Sequence, residues 1–269
     1  MAGKPTEERG GGRDTTETLA EPGKGPRPVV IASRAAPGPE ELSEMAEALG
    51  LTERFEVVGP LGRGGMGVVL EARDRRLGRD VAIKVLSGAR MYDGVARARF
   101  EREARAAARL SDPSIVTVHE LASSGDYMVM ELVRGESLKE RLERGALPAG
   151  EVRRFGAALC RALSVAHAAG VIHRDVKPSN VLIDGAERIR LADFGIATFT
   201  DAELTVTGVM IGTPAYMAPE QLRGGAVDAR SDLYAVGATL FEAATGRMLN
   251  DPADPCRDPA SAVPCRPER

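Results

Sequence analysis

The stretch His173-Arg174-Asp175-Val176-Lys177-Pro178-Ser179-Asn180 gathers an imidazole, a guanidinium, a carboxylate, an ammonium and an amide around a proline that excludes an ordinary helix. A carboxylate such as Asp175 can orient a hydroxyl and accept its proton, and a nearby ammonium such as Lys177 can offset negative charge on a group in transfer. Farther along, Asp193 stands between apolar residues in LADFGIA. Asp193 and Asn180 offer the hard oxygens that magnesium takes together with substrate phosphates. Each residue alone fits an ordinary role as a loop cap or a surface charge. The ordered set has no such ordinary reading.

Upstream lies Gly62-x-Gly64-x-x-Gly67-x-Val69. Glycines let backbone N–H groups approach phosphates without a side chain in the way. A turn between two strands would account for them as well, and a dinucleotide fold would require a helix directly after the loop. The adjoining VVLEARD reads as a strand, so the glycines are expected to cover phosphates from a hairpin. Lys84 closes the run Val81-Ala82-Ile83-Lys84. A lysine bordered by apolar residues is commonly an edge or snorkelling residue, and a functional reading needs an acidic partner. Glu103 falls inside the helical stripe of Phe100, Ala104, Ala107 and Leu110. A carboxylate on that face wants a cation, which makes Lys84 its candidate; the alternative is a solvated Glu103 in a charge-rich helix.

These residues need elements to hold them. From Phe55 the chain is rich in strand-forming runs, FEVVGPLGRGGMGVVLEARD, RDVAIKVL, IVTVHELA and YMVMELV, with one helical pattern, GVARARFEREARAAARL, among them. After Gly135 helices take over: SLKERLERG, opened by Ser137 as N-cap and closed by Gly145, then GEVRRFGAALCRALSVAHAAG. Strands first and helices after predict an α+β chain of two lobes. Residues 1–52, rich in Gly, Pro, Glu and Arg, read as a flexible extension with one short helix at PEELSEMAEALG.

Composition narrows the function classes. An apolar share of 43% and a charged share of 28% suit a globular protein with a core. The net charge of −3 lacks the basic excess that nucleic-acid binding requires. No apolar stretch is long enough to span a bilayer and no signal core adjoins the N-terminus, so a cytoplasmic chain is expected. The cysteines Cys160, Cys256 and Cys265 show no metal spacing, and Cys160 reads as a buried helix residue.

The motifs, in order, are Gly62 to Val69, Val81 to Lys84, Glu103, His173 to Asn180, Asp193-Phe194-Gly195 and Ala218-Pro219-Glu220. Together they resemble the eukaryotic-type (Hanks-type) protein kinases, most closely the bacterial Ser/Thr kinases. The resemblance implies a bilobal kinase fold, with a β-rich N-lobe over about 53–133 and a helical C-lobe over about 134–246. It implies transfer of the γ-phosphoryl of ATP, with Mg2+ or Mn2+, to Ser or Thr hydroxyls of proteins. Leu61, Gly62, Arg63, Gly64, Gly65, Met66 and Gly67 would cover the nucleotide. Val69 and Ala82 would meet the adenine ring, Met130 would be the gatekeeper, and Glu131 and Val133 would supply hinge backbone. Lys84, paired with Glu103, would hold the α- and β-phosphates, while Asn180 and Asp193 would bind the metal. Asp175 would be the catalytic base, Lys177 would face the phosphoryl, and Thr213 would bridge Asp175 and Lys177. His173 and Phe194 would pack internally, and Asp232 would anchor the backbone around His173 and Arg174. Arg174 marks kinases switched on by activation-loop phosphorylation, for which Thr205 and Thr207 are the acceptors expected here.

The chain departs from the family pattern after Gly246, where RMLNDPADPCRDPASAVPCRPER replaces the expected helices. Pro252, Pro255, Pro259, Pro264 and Pro267 exclude a long helix, so residues 247–269 read as a Pro-rich irregular tail and the C-lobe as incomplete. Glu220 is then expected to lack its arginine partner. The central helix is expected to expose apolar surface that favours self-association. An active kinase and an ATP-binding but weakly active scaffold or decoy are the competing function classes.

Overall fold

Pro39 at the start and Glu40 and Glu41 in the first turn favour a helix at a positive N-terminal dipole, and α1 runs Pro39–Ala48. In the computed structural model, which describes residues 27–29, 37–64, 67–86, 94–194 and 214–250, α1 leads through a short 3-10 turn, Leu51–Glu53, into β1 (Phe55–Gly64). Next come β2 (Gly67–Asp74) and β3 (Arg79–Leu86), then α2 (Gly94–Ala107), β4 (Val118–Leu121) and β5 (Tyr127–Glu131). The strands form a five-stranded antiparallel sheet in the order β1-β2-β3-β5-β4.

Alternation along β3 explains why its residues are buried on both sides. Val81, Ile83 and Val85 pack with Phe55, Leu70, Ala72 and Val129 beneath Ala46 of α1 and Leu51. Ala82 and Leu86 turn the other way, toward Val69, Met128 and Met130. Arg54 pins the edge of this lobe: its guanidinium reaches the buried Asp74 carboxylate at 2.8 Å and Glu120 at 2.8 Å. The sequence treats residues 1–52 as a flexible extension, yet α1 and the 3-10 turn after it are packed parts of the strand-rich lobe. Their apolar side chains cover a sheet face that would otherwise meet water.

The second lobe begins with β6 (Gly135–Ser137) and α3 (Leu138–Leu142). Ser137 caps α3 as expected, accepting from the Glu140 N–H while Glu140 accepts from the Ser137 N–H, a closed capping box. α4 (Ala149–Ala168), β7 (Val181–Asp184), β8 (Ile189–Leu191), α5 (Pro219–Leu222) and α6 (Ala229–Thr245) complete the order, and β6-β7-β8 form a small sheet. Phe155, Leu159, Ala162, Leu163 and Ala166 form one stripe of α4 and bury against Ala235 and Val236 of α6 and against β7 and β8.

That stripe corrects the reading of Cys160, which is exposed. It comes one residue after Leu159 and so faces about 100° away from the core, as the helical period dictates. α6 is capped by the Asp228 carboxylate on the Arg230 N–H and stopped by Gly246 at φ +70°. Leu233 and Phe241 on α6 are 52% and 41% exposed, the apolar exposure expected of this helix. No helix among the described residues is long and apolar enough to cross a membrane. Residues 251–269, with the tail prolines, lie outside the described residues.

Leu159 is fully buried between α4 and α6. Leu159→Ala should lower the unfolding free energy by about 3 kcal/mol in urea denaturation, because the rigid neighbours leave a cavity.

Candidate active site

The loop between α4 and β7 carries His173 to Lys177, and α6 holds it from below. The Asp232 carboxylate is wholly buried in the first turn of α6. Its Oδ2 accepts from the His173 N–H at 2.8 Å and lies 2.7 Å from His167 Nε2; its Oδ1 accepts from the Arg174 N–H at 2.6 Å. A buried carboxylate without such donors would cost several kcal/mol, so these partners fix the loop to the helix. Arg174 sits at φ +66°, a left-handed conformation uncommon for a side-chain-bearing residue. Gln221 of α5 donates to the Arg174 carbonyl at 3.0 Å and holds the other side of that peptide.

His173 is the internal packing residue the sequence suggests. Its Nδ1 accepts from the Asp175 N–H at 3.2 Å and its Nε2 donates to the Ala192 carbonyl at 2.9 Å. The Phe194 ring lies 4.6 Å from the imidazole. Burial pushes the His173 pKa down, which keeps the ring neutral in that bonding pattern. One side chain therefore ties the catalytic loop to the segment bearing Asp193.

Asp175 Oδ2 receives Lys177 Nζ at 2.8 Å and Asn180 Nδ2 at 3.0 Å, and Asn180 also donates to the Asp175 carbonyl at 2.8 Å. The second oxygen, Oδ1, has no partner among the described residues. Lys84 of β3 is 6% exposed and its Nζ lies 2.8 Å from Asp193 Oδ1. Asp193 is at φ +59°, a second left-handed residue in the cleft. Burial alone would raise its carboxyl, but Lys84 first, then Lys177, outweigh that and hold it below the ordinary carboxylate range. The oxygens not used in these contacts, Asn180 Oδ1 and Asp193 Oδ2, are hard donors of the type magnesium or manganese accepts, so the residues fit such an ion.

Between the lobes, Leu61, Val69, Ala82, Met130 and Val133 line one apolar cluster with Leu182 and Ala192 from below. Val69 pairs Lys84 across β2 and β3, which puts the apolar wall and the ammonium side by side. Gly62, Arg63 and Gly64 end β1 opposite Val69, Val68 and Gly67 in the hairpin the sequence calls for. Arg63 carries an ion pair to Glu41 of α1 at 2.6 Å. Glu131 sits in β5 with its carboxylate 3.5 Å from Arg190. Glu103 lies on α2 with its side chain outside what is described. Gly65, Met66, Gly195, Thr205, Thr207 and Thr213 also lie outside the described residues.

Glu220 finds a hydroxyl where an arginine partner was expected to be lacking. Its carboxylate accepts from the Ser231 hydroxyl at 2.5 Å, which holds its pKa down, so it is not left without a partner. The replacement is local: the Ser231 hydroxyl in the first turn of α6 reaches back to Glu220 of α5. His167 and Gln221 act on residues far along the chain and Ser231 on one in the preceding helix, pairs that no sequence spacing advertises.

The protein kinase domain matches residues 55–255. The chain belongs to the protein kinase family. Among its relatives is serine/threonine-protein kinase PknB of Mycobacterium leprae, 44% identical over 205 residues that cover 73% of this chain and 33% of that protein. Serine/threonine-protein kinase pkn2 of Myxococcus xanthus is 41% identical over 230 residues, covering 81% of this chain and 28% of its own. The chain thus spans about a third of the length of the curated relatives it matches. The crystal structure of the Mycobacterium tuberculosis PknI kinase domain is similar, with a TM-score of 0.59 and 35% identity, covering 72% of this chain and 76% of that one.

Lys84 is the first cation that keeps Asp193 charged. Lys84→Met should therefore raise the Asp193 carboxyl. Stability that wild type loses only as pH falls through the depressed pKa is then lost at higher pH. Carboxylate NMR titration of the metal-free proteins reads the shift directly.

Proposed function

We propose that the chain is a serine/threonine protein kinase that transfers the γ-phosphoryl of ATP to serine or threonine hydroxyls of proteins. Its working unit is residues 53–246, with the N-lobe over about 53–133 and the C-lobe over about 134–246. The observation that carries the reading is the arrangement of Asp175: one oxygen is paired with Lys177 and Asn180, and the other, without a partner among the described residues, suits a substrate hydroxyl.

In the proposed step Asp175 orients the substrate hydroxyl and takes its proton as the oxygen–phosphorus bond to the γ-phosphorus forms. The bond from that phosphorus to the β–γ bridging oxygen breaks, and ADP leaves with the electron pair. Lys177 offsets charge on the moving phosphoryl. Lys84 meets the α- and β-phosphate oxygens, with Glu103 as the partner that holds it there. A divalent cation, Mg2+ or Mn2+, when held by Asn180 and Asp193, would neutralise phosphate charge. Leu61, Val69, Ala82, Met130 and Val133 enclose the base, with Glu131 and Val133 presenting hinge backbone, while Gly62 to Gly67 cover the phosphates.

Regulation is proposed through the activation loop. Arg174 Nε is buried without a hydrogen-bond partner among the described residues, which supports a role in receiving a phosphate. Thr205 and Thr207 are the proposed autophosphorylation sites, and Thr213 is the residue proposed to bridge Asp175 and Lys177.

Incubation with radiolabelled ATP should label wild type and a Ser/Thr protein substrate. Asp175→Asn should lose at least about a hundredfold in rate. Phosphopeptide mapping should find Thr205 or Thr207 modified. Transfer undiminished in Asp175→Asn would remove Asp175 from the reaction. A folded, ATP-binding protein without any transfer would favour the scaffold.

A further inference from the structure

Three residues ahead of α1 sit in the cleft. Arg27, Pro28 and Val29 run antiparallel to the segment joining the lobes, with Pro28 paired to Arg134. The Val29 N–H donates to the Val133 carbonyl at 3.0 Å, and the Gly135 N–H donates to the Arg27 carbonyl at 2.7 Å. Val29 is 2% exposed and belongs to the same apolar cluster as Leu61, Val69, Ala82, Met130 and Leu182.

We infer that the Arg27-Pro28-Val29 segment is an autoinhibitory plug that competes with the nucleobase for the cleft of its own chain. The inference rests on the reading of this cleft as the nucleotide site. A purine needs apolar walls for its faces and backbone groups of the hinge for its polar edge. Val29 uses both: its side chain lies between the walls and its N–H takes a hinge carbonyl. Extended chain added to an exposed backbone edge is a standard mode of peptide recognition, here carried out within one molecule.

The attachment is short. Pro28 has no N–H to donate, so the pairing rests on one bond on either side of it. Such a segment can yield to a ligand that satisfies the same groups. A second grip comes from α1, whose Glu41 holds Arg63 in the glycine hairpin at 2.6 Å. Residues preceding the family-matched region therefore touch both the hinge and the hairpin over it. A plugged cleft binds nucleotide more weakly in proportion to the fraction of molecules that are open.

The test uses the 269-residue chain and its Val29→Asp and Val29→Gly variants. Hydrogen exchange should show the Val29 and Gly135 amides protected without nucleotide and released when a non-hydrolysable ATP analogue with Mg2+ is added. Calorimetry with the same analogue should show about tenfold tighter binding by both variants, as for a plug closed in most molecules. Binding by the variants alone would also support the plug. Equal binding by all three proteins would overturn it while leaving the nucleotide site standing. Unprotected Val29 in the free chain would overturn it whatever the affinities. Protection with no binding by any of the three would overturn both the plug and the nucleotide reading.

Discussion

A single buried carboxylate, Asp232, sets the geometry on which the rest of the cleft depends. It stands in the first turn of α6, a helix buried against α4, and directs its oxygens at two consecutive backbone N–H groups and one imidazole. Peptide N–H groups in an irregular loop have no ladder to satisfy them, and a buried anion has no water. Each deficiency is met by the other. The left-handed conformation at Arg174 is held from both faces, by Asp232 and by Gln221. Asp175 to Asn180, next in the chain, inherit their direction from that fixed peptide.

The charges in the cleft are arranged as neighbours that restrain one another. Lys177 and Asn180 share one oxygen of Asp175, and Lys84 holds one oxygen of Asp193. His173, neutral and buried, links the two carboxylate-bearing segments through Ala192 without adding a charge of its own. Each of the two carboxylates has one oxygen paired with its own ammonium, Asp175 with Lys177 and Asp193 with Lys84. The strand-rich lobe supplies Lys84 from a strand buried on both faces, so that ammonium is placed by packing on either side of the sheet.

Much of this was legible in the sequence because it is local. Ser137 and Glu140 form a capping box at their fixed spacing, Gly246 stops α6, and the glycines fall in a β-hairpin, each decided within a few residues. The polar stretch at 173–180 announces its chemistry by residue type alone. The features that were not legible depend on partners brought together by folding. His167 and Ser231 find Asp232 and Glu220 only once α4, α5 and α6 pack. Cys160 looked buried because its neighbours are apolar, but the helical period, not the neighbourhood, decides the face. Val29 lies in a segment whose composition signals chain entropy, and it is ordered by a cleft whose apolar walls are far away in sequence.

The anchoring role of Asp232 is tested most directly by Asp232→Asn. An amide keeps the volume and one acceptor but turns an N–H2 toward groups that are themselves donors. The rate of phosphoryl transfer from radiolabelled ATP, measured on protein shown by circular dichroism to be folded, is the decisive quantity. If the buried carboxylate aims the loop, the rate should fall at least about tenfold, since small displacements of positioned groups carry large rate costs. An unchanged rate in the folded variant would contradict it.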